Sequence, residues 1–420
     1  MRLFVLLAST SLLAACGGGG AETISSAPPP TGGTGTATTH SFADPTETKT
    51  YKGVGSQQVM DYLTDSRECC DQQGITYAGN AATVRQSGIS IKYEPNNATY
   101  TLIVNDPLTG AAAQTRFQDP ANRTDFGGDV EPQWGTPHLS NPNIRYLQAG
   151  DGDPRSLYES SGTGLVDPGT NEIPASGEPG SSYQAANLFL LKPGTETKYV
   201  SFAGYVRNAL SFETLTVAPP EGDPDANPDD YIFDLTNWHL ERGAFAFGEV
   251  TPNDKVPTAG TGSYSGSMLA SMIFNPTLDG EDPSGLRGLP SYFQWIEGSA
   301  DVQVNFATNT FNLDLDGTVL APQIDRWTGP ELSIIKEGAT FAASGKGDIN
   351  MVNFGGFKGF FESARFTNPA GDSRTVAIEG STIDGTFYGP NGEEIGGGYR
   401  IVGGNPDERV DIVGTFVGTK

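Results

Sequence analysis

Between residues 262 and 418 apolar side chains return at every second position, run after run. Val302, Val304 and Phe306 alternate, as do Phe311, Leu313 and Leu315; then come Phe357, Phe360 or Phe361 with Phe366, and Val376 with Ile378. A period of two marks a strand with one buried face, because successive side chains point to opposite sides of a pleated chain. The pattern predicts eight strands, over 262–273, 298–307, 310–319, 338–349, 356–367, 374–388, 393–403 and 409–417. Asn-Phe-Ala-Thr-Asn-Thr at 305–310 and the pair Asn391-Gly392 supply hairpin turns. Eight antiparallel strands can close into a small barrel whose interior just fills with side chains; a two-sheet sandwich of the same strands is the alternative. In the barrel the interior falls to Val304, Phe306, Leu313, Leu315 and Ile412, or to their opposite-face neighbours. Such a segment seals its own edges, so it is expected to fold without the rest of the chain.

The end of this region carries a resemblance. Residues 381–420 contain Gly-x-Phe-Tyr-Gly-Pro-Asn at 385–391, Glu-Glu-Ile-Gly-Gly at 393–397 and Gly-x-Phe-x-Gly at 414–418. In that order these resemble the closing signature of the transferrin-binding protein B β-barrel family, and Gly260-Thr-Gly-Ser-Tyr-Ser-Gly266 resembles its barrel entry strand. Lys198-Tyr199-Val200, Gly204-Tyr205-Val206, Phe247-Gly248 and Pro257-x-x-Gly260 look like the part of the family's handle domain that leads into the barrel. The resemblance implies an all-β chain: an irregular β-rich handle-like domain over 42–255, then an eight-stranded antiparallel barrel over 256–420. In that first region candidate strands lie at 89–93 and 100–104, across Pro95-Asn96-Asn97, and at 199–206, 231–235 and 245–248. Fifty-five Gly, 29 Pro, 22 Phe and 15 Tyr suit short aromatic strands broken by many turns. The Gly-, Pro- and Asp-rich stretches 149–182 and 218–230 are long for a compact domain, a length found in functional or disordered loops.

Residues 1–15 have one positive charge, Arg2, an apolar run and small residues ahead of Cys16, the layout of a secretory signal. Leu13-Ala14-Ala15-Cys16 resembles the lipobox of bacterial lipoproteins, which makes Cys16 the lipidated first residue after cleavage. Each buried CH₂ of an acyl chain stabilises attachment by about 0.8 kcal/mol, so several chains on one cysteine form a lasting anchor. Gly17 follows where inner-membrane retention has Asp, pointing to the outer membrane. Residues 16–41 hold almost no large apolar side chain and read as a flexible tether, with a reach on the order of 25–30 Å by random-coil scaling.

Charge and chemistry narrow the function further. Fifty acidic residues against 25 basic give a net −25, which repels a phosphate backbone and argues against nucleic-acid binding. His40, His138 and His239 stand apart from any second ligand at zinc spacing, and Cys69-Cys70 is an adjacent pair without a Cys-x-x-Cys. Asp223, Asp225, Asn227 and Asp229 alternate like the start of a calcium loop, yet Pro228 takes the glycine position and Asp234 the place of the bidentate glutamate. Asp151 and Asp153 carry the same idea with less support. Ser263 and Ser265 sit in a strand rather than at a nucleophile elbow. Glu393 and Glu394, adjacent on a strand, point to opposite faces and cannot share a proton. No catalytic group, cofactor or metal is therefore expected. Trp295 and Trp327 read as core or rim anchors.

The resemblance implies a lipid-anchored outer-membrane protein that holds an iron- or haem-carrying host protein for delivery to a TonB-dependent receptor. No binding residue carries over. The partner is expected on the long loops of the first region and on 279–291, not in the barrel interior. The competing reading is a structural or immune-evasive coat lipoprotein with no iron role.

Overall fold

The computed structural model describes residues 47–65, 87–95, 99–105, 112–118, 135–149, 179–180, 182–219, 227, 231–276, 292–322, 333–353, 355–404 and 408–420. Residues 1–41, where a signal, a lipidated Cys16 and a tether are expected, lie outside them.

Two antiparallel sheets of nine strands each carry the chain. The first comprises β1 (Lys49–Lys52), β2 (Val54–Asp65), β3 (Ile89–Glu94), β4 (Thr99–Asn105), β5 (Ala112–Gln118), β6 (Ile144–Ala149), β7 (Ser182–Leu191), β8 (Val200–Thr216) and β9 (Ile232–Gly248). Its order is β1-β3-β4-β5-β6-β7-β8-β9-β2. Only Gly53 separates β1 from β2, so one stretch of chain borders both ends of the order and the sheet must curl. Ile91, Leu102, Phe117, Leu147, Leu188, Tyr205 and Phe245 pack inside the curl. The predicted strands at 89–93 and 100–104 are β3 and β4, paired from Ile89↔Val104 to Glu94↔Thr99. The separate strands expected at 231–235 and 245–248 are the two ends of one 17-residue strand, β9. Between them Glu241 and Arg242 interrupt the apolar alternation, and both are buried among polar partners. Tyr205 Oη donates to Glu241 and lies 2.8 Å from the Gln57 side-chain amide, Arg207 pairs with Glu241, and Arg242 Nη1 donates to Asn208. Burial, reinforced by the Glu241 charge, pushes the Tyr205 phenol far above its usual range, so it stays a donor.

The second sheet closes. It holds β10 (Thr261–Pro276), β11 (Tyr292–Asn305), β12 (Thr310–Val319), β13 (Thr340–Asn350), β14 (Gly356–Thr367), β15 (Ser373–Thr375), β16 (Ile378–Tyr388), β17 (Glu394–Gly403) and β18 (Glu408–Thr419). Its order, β13-β12-β11-β10-β18-β17-β16-β14-β15, is joined by a further β13–β14 pairing, so eight strands form a ring and β15 hangs from β14. This is the expected barrel rather than the sandwich. Val304, Phe306, Leu313, Leu315 and Ile412 all lie in its interior. Aromatic rings fill one end, with Phe311 and Phe357 4.9 Å apart and Phe357 edge-on to Phe387 at 5.9 Å. Tyr399 lies across its register partner Gly414, where a Cβ would stand 2.3 Å from the ring, which accounts for that glycine in the closing signature. The outer wall is polar where solvent reaches it, with exposed Asp301, Asp314, Asp316 and Lys346, the reverse of a barrel that faces lipid.

The choice between Phe360 and Phe361 is settled by a bulge. Ser344 pairs with Ser363 and Gly345 with Phe361, leaving Glu362 unopposed, so the inward phase moves from Phe357 and Phe361 to Ala364 and Phe366. Phe360 faces out at 50 % exposure. Strand β11 starts six residues ahead of the expected 298 because Tyr292-Phe-Gln-Trp-Ile has no alternation: both of its faces are buried.

Candidate binding surface

Contacts between the sheets fix how they align. Near the start of β8 the backbone N–H groups of Lys198, Tyr199 and Val200 donate to the Glu394 carboxylate at the β16–β17 turn, at 2.6, 2.8 and 3.0 Å. Four residues on, Gly204 faces Leu269 in the middle of β10; a Cβ there would meet Leu269 at 2.8 Å. Arg242, the register partner of Val206, lies over the Phe293 ring near the start of β11, 4.8 Å from its centre. Gln58, which pairs with Arg242, donates to the Asp411 carbonyl at 2.6 Å. Moving along β8 from 200 to 206 thus carries the contact from the β16–β17 end of the barrel to the end bearing the β10–β11 and β17–β18 connections.

The interface is apolar at its centre. Phe189, Leu191, Val200, Phe202 and Val206 of the first sheet pack on Leu269, Trp295, Tyr388 and Val417 of the barrel wall. Trp295 is fully buried; its ring meets Phe189 edge-on at 5.1 Å and its Nε1 donates to the Gly135 carbonyl at 2.8 Å. Glu297 accepts from Ser140 N at 2.8 Å, and Glu196 from Ser267 Oγ at 2.7 Å. Glu394 is the polar counterpart of Trp295. Burial pushes its carboxyl above the ordinary carboxylate value, and the three N–H donors pull it back. Glu394→Ala strands those donors, and a loss of about 2–4 kcal/mol is expected in urea unfolding. Glu394→Gln keeps an acceptor and should lose less.

Past this contact the first sheet runs on. Strand β8 continues ten residues beyond Val206, about 33 Å at 3.3 Å per residue. Pairing with β7 stops at Ser182↔Ser211 and pairing with β2 at Asp65↔Leu235. Among the described residues, β8 and β9 beyond these points form a two-stranded ribbon, from Thr214↔Asp234 to Thr216↔Ile232. Leu215 lies opposite Phe233, and Val217 N donates to Tyr231 O at 2.9 Å, which sets these four side chains on one face. Leu215 is 49 % exposed and Val217 43 %; Ile232 is exposed on the opposite face. Acids flank them: Glu213 accepts from Asn237, and Asp234 from Thr214. The ribbon points past the barrel end where β10 stops at Pro276 and β11 begins at Tyr292. The strand ends that border residues 66–86, 150–181, 217–231, 277–291 and 404–407 all lie on this side. The first described residues lie on the other: Lys49 pairs with Glu249, whose backbone bonds Tyr199 O and Gly389 N beside the β16–β17 turn.

Sequence-predicted site residues fall unevenly. Cys16, His40, Cys69, Cys70, Asp151, Asp153, Asp223, Asp225, Asp229, Trp327 and the segment 279–291 lie outside the described residues. Asp234 serves the ribbon as an acceptor, and His138 is exposed. Ser263 and Ser265 donate to Gln303 and Asp301 on the barrel's outer wall, as strand residues do. Glu393 bonds Asn391 in its own turn while Glu394 reaches across to the other sheet, so the pair diverges. Among the described residues no His, Cys, Asp and Glu gather in a group of three or more that could hold a metal. No helix there is long and apolar enough to cross a membrane. Sequence reasoning missed the ribbon, Glu394 and the covering of Trp295. A signal for the ribbon was present in Phe212-Glu-Thr-Leu-Thr-Val217, a β-rich run continuing the strand expected at 199–206.

Residues 256–420 match the family described as the C-lobe and N-lobe β-barrels of Tf-binding protein B. Solved structures similar to the chain include a point mutant of transferrin-binding protein B from Haemophilus parasuis Hp5, at 13 % identity over 88 % of this chain and 77 % of that one, with a TM-score of 0.25. Another is the isotype 1 protein from serogroup B Neisseria meningitidis, at 12 % identity over 90 % and 77 %, also with a TM-score of 0.25. No curated protein matches the chain.

Proposed function

From a C-terminal domain that is a β-barrel of the transferrin-binding protein B family, we propose that this chain is an outer-membrane lipoprotein, anchored at Cys16 and facing outward, that binds an iron- or haem-carrying host protein and passes its cargo to a TonB-dependent receptor. The observation that carries this reading is the polarity of the folded body. The exposed apolar ribbon and the strand ends bordering residues 66–86, 150–181, 217–231 and 277–291 share one end; β5 ends, before residues 119–134, toward the other, where the first described residues also lie. A body held by its N-terminal end presents the ribbon, and the strand ends that share its side, away from the bilayer. The barrel is scaffold: its interior is occupied by its own aromatic and aliphatic side chains, so recognition falls to the surface. Binding without chemistry is the proposed role.

Cys16→Ser is expected to move the protein from the outer-membrane fraction to the soluble fraction, since only the polar-walled body remains. Retention in membranes after a high-salt wash would refute the anchor. The iron role is tested by growth: cells lacking the protein should fail on an iron-loaded host carrier as sole iron source and grow normally on inorganic iron. Equal growth on both would favour the coat reading.

A further inference from the structure

The end of the body opposite the ribbon has its own exposed apolar side chains. Val352, in the β13–β14 turn, is 81 % exposed, the most exposed large hydrophobic among the described residues, and Val250 is exposed beside the bridge it makes with Tyr388. The two belong to one surface, because Asn253 Nδ2, three residues after Val250, donates to the Met351 carbonyl at 2.7 Å. Met351 itself packs partly on the barrel core, which holds the turn and leaves Val352 projecting. Around them Lys49, Lys255, Lys358 and Lys420 stand beside Glu249, Asp254, Asp348 and Glu393, so the charges named here balance where the whole chain carries −25. This is also the end at which the described chain begins, with 46 residues before Glu47.

We propose that this end is a membrane footing: the β13–β14 turn, led by Val352 and flanked by Val250, rests in the headgroup layer of the bilayer to which the tether leads. The proposal rests on the lipid anchor at Cys16. A tether of about two dozen residues keeps the body within on the order of 30 Å of the surface, an effective concentration in the millimolar range, so a footing too weak to bind unaided is still occupied. Projecting apolar side chains amid balanced charge suit lipid headgroups, whereas the acid-flanked ribbon at the far end would be repelled by an anionic surface. The footing sets orientation; attachment is left to the acyl chains. It holds the body upright on its tether instead of letting it lie along the membrane.

The test uses the full lipidated chain in vesicles of phosphatidylethanolamine and phosphatidylglycerol, with the photo-crosslinking residue benzoylphenylalanine introduced at position 352, 250, 215 or 360. All four sites are exposed, so each variant should fold. Lipid adducts are expected at 352 and 250 in several-fold excess over 215 on the ribbon and 360 on the barrel wall. Equal yields at all four positions, or adducts at 352 with protein alone, would overturn the footing while leaving the anchor intact. A chain that stays in the supernatant would refute the anchor instead, and the footing with it.

Discussion

Trp295→Ala is expected to cost about 3–5 kcal/mol, the range for removing a large aromatic side chain from a packed core. The loss is larger than for most barrel residues because two things go together. The cavity opens between the sheets, where Phe189 loses its edge-on partner, and the Gly135 carbonyl loses its donor. Denaturant unfolding should show it as an earlier transition of the first sheet, separating from that of the barrel, whose ring of eight strands does not depend on this side chain. A single transition shifted by less than about 1 kcal/mol would mean that the interface is not what joins the two sheets.

The second large effect concerns binding. Leu215→Asp with Val217→Asp should weaken capture of the partner by about 100-fold, or ~2.7 kcal/mol, the loss that follows when a central apolar contact is replaced by charge. Both side chains are exposed, so stability should change by no more than about 0.5 kcal/mol per site. That contrast makes the variant informative: unfolding and binding are read separately, and only binding should move. An unchanged affinity would take the ribbon out of the recognition surface.

The barrel was legible in the sequence because its strands are buried on one face only. Val302 to Phe306 and Phe311 to Leu315 alternate without interruption, and the structure places their expected inward set in the core. Legibility failed where a strand is covered on both faces. The first residues of β11 are buried throughout and do not alternate, since Tyr292 and Ile296 point into the barrel while Trp295 packs on the first sheet. The same covering bears on the expectation that the barrel folds without the rest of the chain. Closure removes the strand edges, but Leu269, Trp295, Tyr388 and Val417 form an apolar patch on the outer wall that only the first sheet hides. In the first sheet β9 was obscured by its buried ionic stretch, where Glu241 and Arg242 read as surface residues until Arg207, Tyr205 and Asn208 are brought beside them. Glu394 could not be read at all: an acidic residue after a turn gives no hint that three N–H groups nearly two hundred positions earlier will converge on it.

The central claim is that the body recognises an iron-bearing host protein through the end opposite its anchor. Its most direct measurement is an equilibrium titration of the lipid-free folded body against iron-loaded carrier proteins and haem, repeated with the Leu215→Asp/Val217→Asp variant. The account predicts saturable binding of one carrier protein by the native body and about 100-fold weaker binding by the variant. Binding of haem alone, unaffected by the ribbon substitutions, or no saturable binding to any iron-bearing partner by a body shown to be folded, would contradict it.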